Sequence, residues 1–354
     1  MPKKQDLLEL QWSSSLSEYV TAIAWSNQGQ TLAASSASGE IVIYHGDSGE
    51  AIQLQAGCGQ SINCLSFSVN GEFLATAGQE GIVRIWQMDT NPPQLWSELE
   101  YQRVWIDRLE WHPQDPELVF SLGRYAQVWN VPTKEILTTL NFEWSSVLDL
   151  TWHPQGKDLA LSGNQGIKIW KREDWDNDPQ VWHTGTVNQA IAWSSDGDYL
   201  ASGNRDRTLL VWQWGNPYPW QMQGFPGKVG QLAWSKPTAQ LKTPLLATMS
   251  STAVVVWQKS VDEAVGWEAK VLDWHTQKVN AIAFKPGSLL LTSASEDGRV
   301  YLSQNTNRVG QMLKGAPQGF SCLNWDPQGR YLAAGGQHGE VLVWTTSRRG
   351  QGFG

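Results

Sequence analysis

The chain has 354 residues, a formal net charge of −8 and only three cysteines. The acidic balance argues against a nucleic-acid partner, because binding phosphates requires a basic face. Three cysteines do not form a disulfide framework in a chain of this length, and no run of about 18 apolar residues predicts a membrane span. With no signal peptide recognisable at the start, we expect a cytoplasmic protein that does not insert into a membrane.

The first predicted element is a strand over residues 7–12, with the sequence Leu-Leu-Glu-Leu-Gln-Trp. Eight units follow, each running from an aromatic residue to the end of a short apolar segment, which is Trp in most units. The units cover residues 25–44, 67–86, 111–129, 152–170, 193–212, 234–257, 284–303 and 325–344. Most units start 41 to 44 residues after the preceding one, which matches the period of a four-stranded propeller blade.

Each unit predicts three short antiparallel strands. The first strand alternates apolar and small residues, as at Val20, Ala22 and Ala24, and a tight turn such as Ser-Ser-Asp-Gly at 194–197 follows it. An outer fourth strand is predicted after each of the first seven units. These strands cover residues 50–55, 94–99, 135–140, 180–183, 219–223, 270–275 and 308–314.

The last unit has no outer strand of its own, because the residues after Trp344 are polar and rich in glycine. We therefore expect the N-terminal strand to complete the last blade and so remove an exposed sheet edge. The predicted fold is all-β, a single closed propeller of eight four-stranded blades over residues 1–347 with a flexible tail at 348–354. A ring of seven blades with one unit outside it is the alternative.

Residues 200–212, Leu-Ala-Ser-Gly-Asn-Arg-Asp-Arg-Thr-Leu-Leu-Val-Trp, resemble the WD40 repeat signature. The resemblance implies a hydrogen-bonded structural tetrad in the fifth unit, formed by His183, Ser202, Asp206 and Trp212. In the seventh unit it implies the same roles for His275, Ser293 and Asp297, with Ser303 in the place of Trp.

The WD40 resemblance also implies that partners dock on the face that carries the connections between blades. Trp105 and Trp144 lie in two such connections, and Trp, Tyr and Arg are enriched at binding hot spots. The alternative is that both tryptophans fold back into the groove between blades. The candidate protein-binding residues are Tyr19, Arg103, Trp105, Asp107, Arg108, Arg124, Tyr125, Trp144, Arg205, Phe225, Lys228 and Phe320.

No catalytic motif, phosphate-binding loop or metal-ligand spacing accompanies these residues. The acidic loop 173–178 lacks the glycine and the closing glutamate of a calcium loop, and Cys58, Cys64 and Cys322 are expected to be free thiols. We therefore predict a non-enzymatic, monomeric scaffold that binds a protein or peptide and needs no cofactor. A propeller that binds a small ligand or glycan by stacking on Trp, and a metal-handling scaffold, are the alternatives.

Overall fold

The computed structural model describes residues 7–238, 241, 243–304 and 308–347. These residues form antiparallel β-sheets and contain no helix, so the predicted all-β class is confirmed. The tail predicted at 348–354 lies outside the described residues. The strands follow one another in chain order as short meanders, because β-branched and aromatic segments alternate with turns that contain glycine or asparagine.

The first strands in the chain are β1 (Leu8–Ser15), β2 (Val20–Trp25), β3 (Thr31–Ser36), β4 (Ile41–His45), β5 (Ala51–Gln55), β6 (Ile62–Phe67), β7 (Phe73–Gly78), β8 (Ile82–Gln87), β9 (Gln94–Glu100), β10 (Leu109–Trp111), β11 (Glu117–Leu122), β12 (Tyr125–Asn130) and β13 (Glu135–Asn141). Strands β2 to β5, β6 to β9 and β10 to β13 each form a four-stranded sheet in sequential order. The three sheets correspond to the first three predicted units.

The next strands are β14 (Asp149–Trp152), β15 (Asp158–Ser162), β16 (Asn164–Lys171), β17 (Gln180–Trp193), β18 (Tyr199–Asn204), β19 (Leu209–Gln213) and β20 (Trp220–Met222). They form a single seven-stranded sheet, in sequential order. Strand β17 is 14 residues long and pairs with β16 through its first part and with β18 through its second. It therefore serves as the outer strand of the fourth unit and the first strand of the fifth, where two separate strands were predicted.

The remaining strands are β21 (Gln231–Trp234), β22 (Leu246–Ser250), β23 (Ala253–Lys259), β24 (Trp267–Leu272), β25 (Val279–Phe284), β26 (Leu291–Ser295), β27 (Arg299–Gln304), β28 (Arg308–Lys314), β29 (Phe320–Trp325), β30 (Tyr331–Gly336) and β31 (Glu340–Thr346). The outer strand β24 begins three residues earlier than the predicted 270–275. The reason is Trp267, which pairs with Lys259 and is buried beside Tyr199 and Trp234.

The last sheet has the strand order β1-β31-β30-β29, so the N-terminal strand completes it as predicted. Leu8 pairs with Thr346 and Ser15 with Glu340 across the antiparallel ladder. Leu8 is buried, and Trp12 reaches beyond its own sheet, where its indole nitrogen donates a hydrogen bond of 2.8 Å to the Gly46 carbonyl. The chain end therefore also joins the last sheet to the first.

Polar side chains link the first strand of one sheet to the first strand of the next. The Asn280 amide nitrogen donates to the Phe320 carbonyl over 2.9 Å, and the Ser321 hydroxyl donates to the Val20 carbonyl over 2.6 Å. Each first strand contacts the first strand of the following sheet, and β29 contacts β2. The first strands thus form a continuous series of neighbours.

The hydrophobic core lies between neighbouring sheets, where Trp129, Trp212 and Phe120 are among the largest fully buried side chains. Buried histidines form hydrogen bonds with the turns at one end of this core. His112 is buried, its Nε2 lies 2.9 Å from the Gly156 carbonyl of the next sheet, and its Nδ1 accepts from the Asp115 backbone nitrogen. His153 repeats the contact with the Gly197 carbonyl at 3.2 Å.

Candidate functional site

One face of the molecule carries both the connections between sheets and the turns between second and third strands; we call it the upper face. Backbone hydrogen bonds hold each connection to such a turn. The Ile106 nitrogen donates to the Gly78 carbonyl at 3.0 Å, and the Val147 nitrogen donates to the Gly123 carbonyl at 2.8 Å. Connections 101–108 and 142–148 are therefore fixed parts of the upper face.

Trp105 is the most exposed tryptophan among the large exposed apolar side chains, with 62% of its surface accessible. Its neighbours in the connection are held firmly. Ile106 is completely buried, and Tyr101 packs against Phe120 with 5.6 Å between ring centroids while its hydroxyl bonds to Gln127. A segment held by these contacts thus presents a large aromatic ring to solvent.

Arg124 lies in the turn between β11 and β12 on the same face, Tyr125 is the first residue of β12, and both are exposed. Arg103 is also exposed and has a positive φ of 61°, an uncommon backbone conformation for a side-chain-bearing residue. Within the described ranges, the guanidinium groups of Arg103 and Arg124 make no hydrogen bond or ion pair. The upper face therefore carries two unpaired guanidinium groups in addition to the exposed rings of Trp105 and Tyr125.

Asp107 and Arg108 have partners inside the protein. The Asp149 carboxylate receives hydrogen bonds from Arg108 Nε and from the Ile191 backbone nitrogen, each 2.9 Å long, and Asp107 accepts one of 2.7 Å from the Asn63 amide. Asp149 raises the pKa of Arg108, and burial raises the pKa of Asp149 itself. These contacts join neighbouring first strands, so Asp107 and Arg108, which were both predicted as site residues, stabilise the packing of the sheets.

Trp144 does not project like Trp105. It is half-buried, packs on Phe142 with 5.5 Å between ring centroids, and has the Lys168 ammonium 4.8 Å from its own centroid. Lys168 in turn pairs with Glu143 at 2.6 Å. Trp144 thus packs against the core between the third and fourth units, in line with the alternative interpretation, and does not project as an anchor.

Two other predicted site residues belong to the core. Phe225 is 6% exposed and packs near Trp257, and Phe320 is completely buried near Trp344. Their assignment to the docking face is therefore wrong, because each aromatic ring turns into the space between two sheets. Tyr19, Arg205 and Lys228 are exposed, as the prediction requires.

The tetrad inferred for the fifth unit is assembled from other residues. His183 is exposed on β17, and its ring lies 5.2 Å from that of Trp144. Ser202 instead bonds to Asn188 and Asn204, both at 2.8 Å, so asparagine supplies the contacts expected of histidine. The other two tetrad residues have local roles, since Asp206 accepts from Thr208 at 2.7 Å and Trp212 stacks on Trp182 with 4.9 Å between ring centroids.

In the seventh unit the implied group is present. His275 Nε2 lies 2.8 Å from the Ser293 hydroxyl, and Nδ1 lies 3.0 Å from the Asp297 carboxylate. Burial lowers the pKa of His275, although Asp297 opposes the shift. Ser303 is buried in the position where Trp was expected, and its hydroxyl has no hydrogen-bond partner in the described structure.

In the described part of the chain, no group of three or more His, Cys, Asp or Glu side chains is placed to hold a metal ion. Cys64 and Cys322 are partly buried thiols, and burial raises the pKa of Cys64 to about 12 and that of Cys322 to about 11. The Cys64 thiol points at the carbonyls of Ala77 and Ile106. No helix of the described residues is long and apolar enough to cross a membrane.

Comparison with known proteins agrees with the repeats. The family model described as WD domain, G-beta repeat matches residues 10–45, 50–87, 180–213, 266–302 and 308–345, which together are just over half of the chain. It matches the two units whose histidines were compared above, and the first, second and last units as well.

Three similar proteins illustrate the range of relatives. The WD repeat-containing protein WDS homolog of Arabidopsis thaliana is 22% identical over 83% of this chain and 57% of its own length. WD repeat-containing protein 90 of Mus musculus is 23% identical over 94% of this chain and 19% of its own length. Protein HIR1 of Kluyveromyces lactis is 25% identical over 43% of this chain and 20% of its own length.

The alignments span less than two thirds of the length of these relatives, so the likeness concerns a repeat region and not a whole protein. The family match agrees with the structure, which has periodic strands, four-stranded sheets and the His275 group expected of WD40 repeats. The chain belongs to the WD40 repeat family.

Proposed function

We propose that this protein is a non-enzymatic interaction scaffold that docks a protein or peptide on its upper face around Trp105. The observation that carries the proposal is an aromatic ring with 62% of its surface exposed on a connection whose next residue is fully buried. Arg103, Arg124 and Tyr125 are exposed on the same face. Trp, Tyr and Arg combine large contact area with directed hydrogen bonds.

The scaffold in this proposal is one closed propeller of eight blades over residues 1–347. The pairing of β1 with β31, the hydrogen bond from Ser321 to Val20 and the contact between β2 and β29 support closure. Strand β17 supports the count of eight, since its two halves serve two consecutive four-stranded units. In a closed ring every sheet has a neighbour on both sides, so the connections between sheets are held rigid.

The partner's docking segment should be acidic as well as apolar. Arg103 and Arg124 have no internal acidic partner among the described residues, whereas Arg108 is neutralised by Asp149. An acidic segment would pair with the two free guanidinium groups while an apolar side chain covers Trp105. We further propose that the scaffold is a cytoplasmic monomer.

The test is affinity purification from the native host, with mass spectrometry of the proteins recovered by the wild type and by a Trp105→Ala, Arg124→Ala double variant. Each truncation at a hot spot costs about 2 kcal/mol, or about thirtyfold in affinity, so the double variant should lose the partner. Tyr218→Ala is the matched control, because Tyr218 is 80% exposed on the connection between β19 and β20 at the opposite end of the sheets.

Loss of the partner from the double variant alone, with an unchanged circular dichroism spectrum, supports the site. Retention by the double variant and loss from Tyr218→Ala would place the interface on the opposite face. Recovery of no stoichiometric protein by the wild type would contradict the scaffold function itself.

A further inference from the structure

The face opposite the upper face, which we call the lower face, holds a cavity of about 720 Å³. It lies where the turns before β11 and β15 meet the segments that follow β16 and β19. Its lining includes Glu117, Lys157, Asp158, Arg172, Trp175 and Trp214. Its size is in the range of small-ligand sites in proteins.

Two acidic residues of this cavity occupy equivalent positions in the repeat. Glu117 begins β11 and Asp158 begins β15, and both are buried, with 5% and 8% of their surfaces exposed. Glu117 is satisfied by the next unit, because Arg172 Nε and Nη2 donate to its two oxygens at 2.9 and 2.6 Å. A buried carboxylate with this partner needs no ligand.

Asp158 has no such partner, because Trp214 stands where the repeat would supply the arginine. The equivalence rests on the backbone: the Arg172 nitrogen donates to the Lys157 carbonyl at 2.8 Å, and the Trp214 nitrogen donates to the Asp198 carbonyl at 2.7 Å. In the described structure no hydrogen bond reaches the Asp158 carboxylate. Asp158, with 8% of its surface exposed, therefore lines the cavity without a hydrogen-bond donor from the protein on its carboxylate.

Two tryptophans form fixed aromatic walls of the cavity. Trp175 packs edge-on against Trp152 with 6.0 Å between ring centroids, and Trp214 packs edge-on against Trp193 with 4.9 Å. Both walls are only half-buried and keep aromatic surface towards solvent. Because their neighbours already hold the rings, a ligand that stacks on them has little side-chain entropy to remove.

The charges that remain around the cavity cancel. With Arg172 paired to Glu117, Asp158 and Glu173 stand against Lys157 and Lys171. With two carboxylates and two ammonium groups, the cavity has no net charge that would attract an ionic ligand. A neutral ligand with many hydroxyl groups fits both, since hydroxyls donate to Asp158 and accept from the lysines and from the amides of Gln114 and Gln155.

From these features we infer that the lower-face cavity binds a neutral oligosaccharide, with Asp158 accepting from sugar hydroxyls and with Trp175 and Trp214 packing against the apolar faces of the rings. The site is independent of the proposed docking function, because it uses the other end of the sheets. Among the sequence-based alternatives, the glycan-binding propeller rested on the tryptophan content and indicated no location, because the parts of this cavity come from three different units.

The experiment is titration of the intact protein with maltohexaose, cellohexaose and chitohexaose, followed by intrinsic tryptophan fluorescence and by calorimetry. An arginine-containing tripeptide with blocked ends is the cationic probe. We expect at least one oligosaccharide to bind and to change the fluorescence. Asp158→Asn, which keeps the side-chain shape, should weaken that binding at least tenfold.

Asp198→Asn is the matched control, because Asp198 is an exposed carboxylate in the corresponding turn of the next unit and should leave binding unchanged. Trp175→Ala should also abolish binding. If Trp175→Ala fails to fold, Asp158→Asn still tests the inference. The inference is overturned if none of the three sugars binds, if Asp158→Asn binds as tightly as the wild type, or if only the arginine peptide binds in an Asp158-dependent way.

Discussion

Trp12 tests whether the N-terminal strand holds the first and last sheets together. Its ring lies 5.2 Å from that of Tyr44 in the first sheet, while its own backbone belongs to β1 in the last sheet. Its indole nitrogen donates to the Gly46 carbonyl at 2.8 Å. Trp12→Ala therefore removes a side chain that spans the junction but leaves the β1 ladder intact.

The expected cost follows from these contacts. Replacing a fully buried Trp with Ala costs about 3–5 kcal/mol, and Trp12 is only half-buried, so the packing loss should be about 2 kcal/mol. Loss of the indole hydrogen bond adds about 1 kcal/mol. We expect the free energy of unfolding to fall by about 3 kcal/mol, since the two losses act on the same junction.

The assay is urea unfolding followed by far-UV circular dichroism, with hydrogen exchange of the β31 amides as the local measurement. Trp105→Ala is the matched control and should change stability by less than about 0.5 kcal/mol, because the ring is exposed. Trp129→Ala, at 1% exposure, sets the upper reference. An unchanged midpoint and unchanged β31 exchange in Trp12→Ala would refute the junction.

Burial raises the pKa of Glu110 to about 8, so the unfolded chain loses this proton at lower pH than the folded protein does. The contribution of Glu110 to stability should therefore fall as pH rises from about 4.5 to 8. Over this window the urea midpoints of Glu110→Gln should fall less than those of the wild type, and parallel profiles would contradict the assignment. Burial lowers the pKa of His275, so the stabilising contribution of this side chain should be present above pH 6.5 and be lost as pH falls below 6.5. His275→Gln should therefore flatten the dependence of stability on pH below 6.5. Maleimide should label the exposed Cys58 of the native protein at neutral pH and leave Cys64 and Cys322 unlabelled until urea is added, since burial raises the pKa values of these two thiols; mass spectrometry of the labelled peptides decides this prediction.

Local patterns were sufficient to predict the repeated unit and most strand bounds. Five of the seven predicted outer strands agree with the structure to within one residue at each end. The polar C-terminal end and the apolar segment 7–12 were enough to predict that β1 completes the last sheet. These features are visible in the sequence because hydrophobic alternation and turn residues act over a few neighbouring positions.

Packing between units decided the rest. Trp105 and Trp144 occupy similar places in the sequence, yet only Trp144 has Phe142 beneath it and Lys168 over its ring, so one ring is exposed and the other is held on the sheet. His183 matched the family signature, but Asn188 and Asn204 fill the space beside Ser202.

The sequence by itself determined the period, the strands and the family resemblance, because each depends on neighbouring residues. Only the tertiary structure decided which aromatic rings reach solvent, and that Asp158 shares a cavity with Trp214 while its counterpart Glu117 is paired with Arg172. The physical reason is that burial and hydrogen-bond satisfaction depend on side chains brought together from different units, whose sequence separation exceeds the reach of any local pattern.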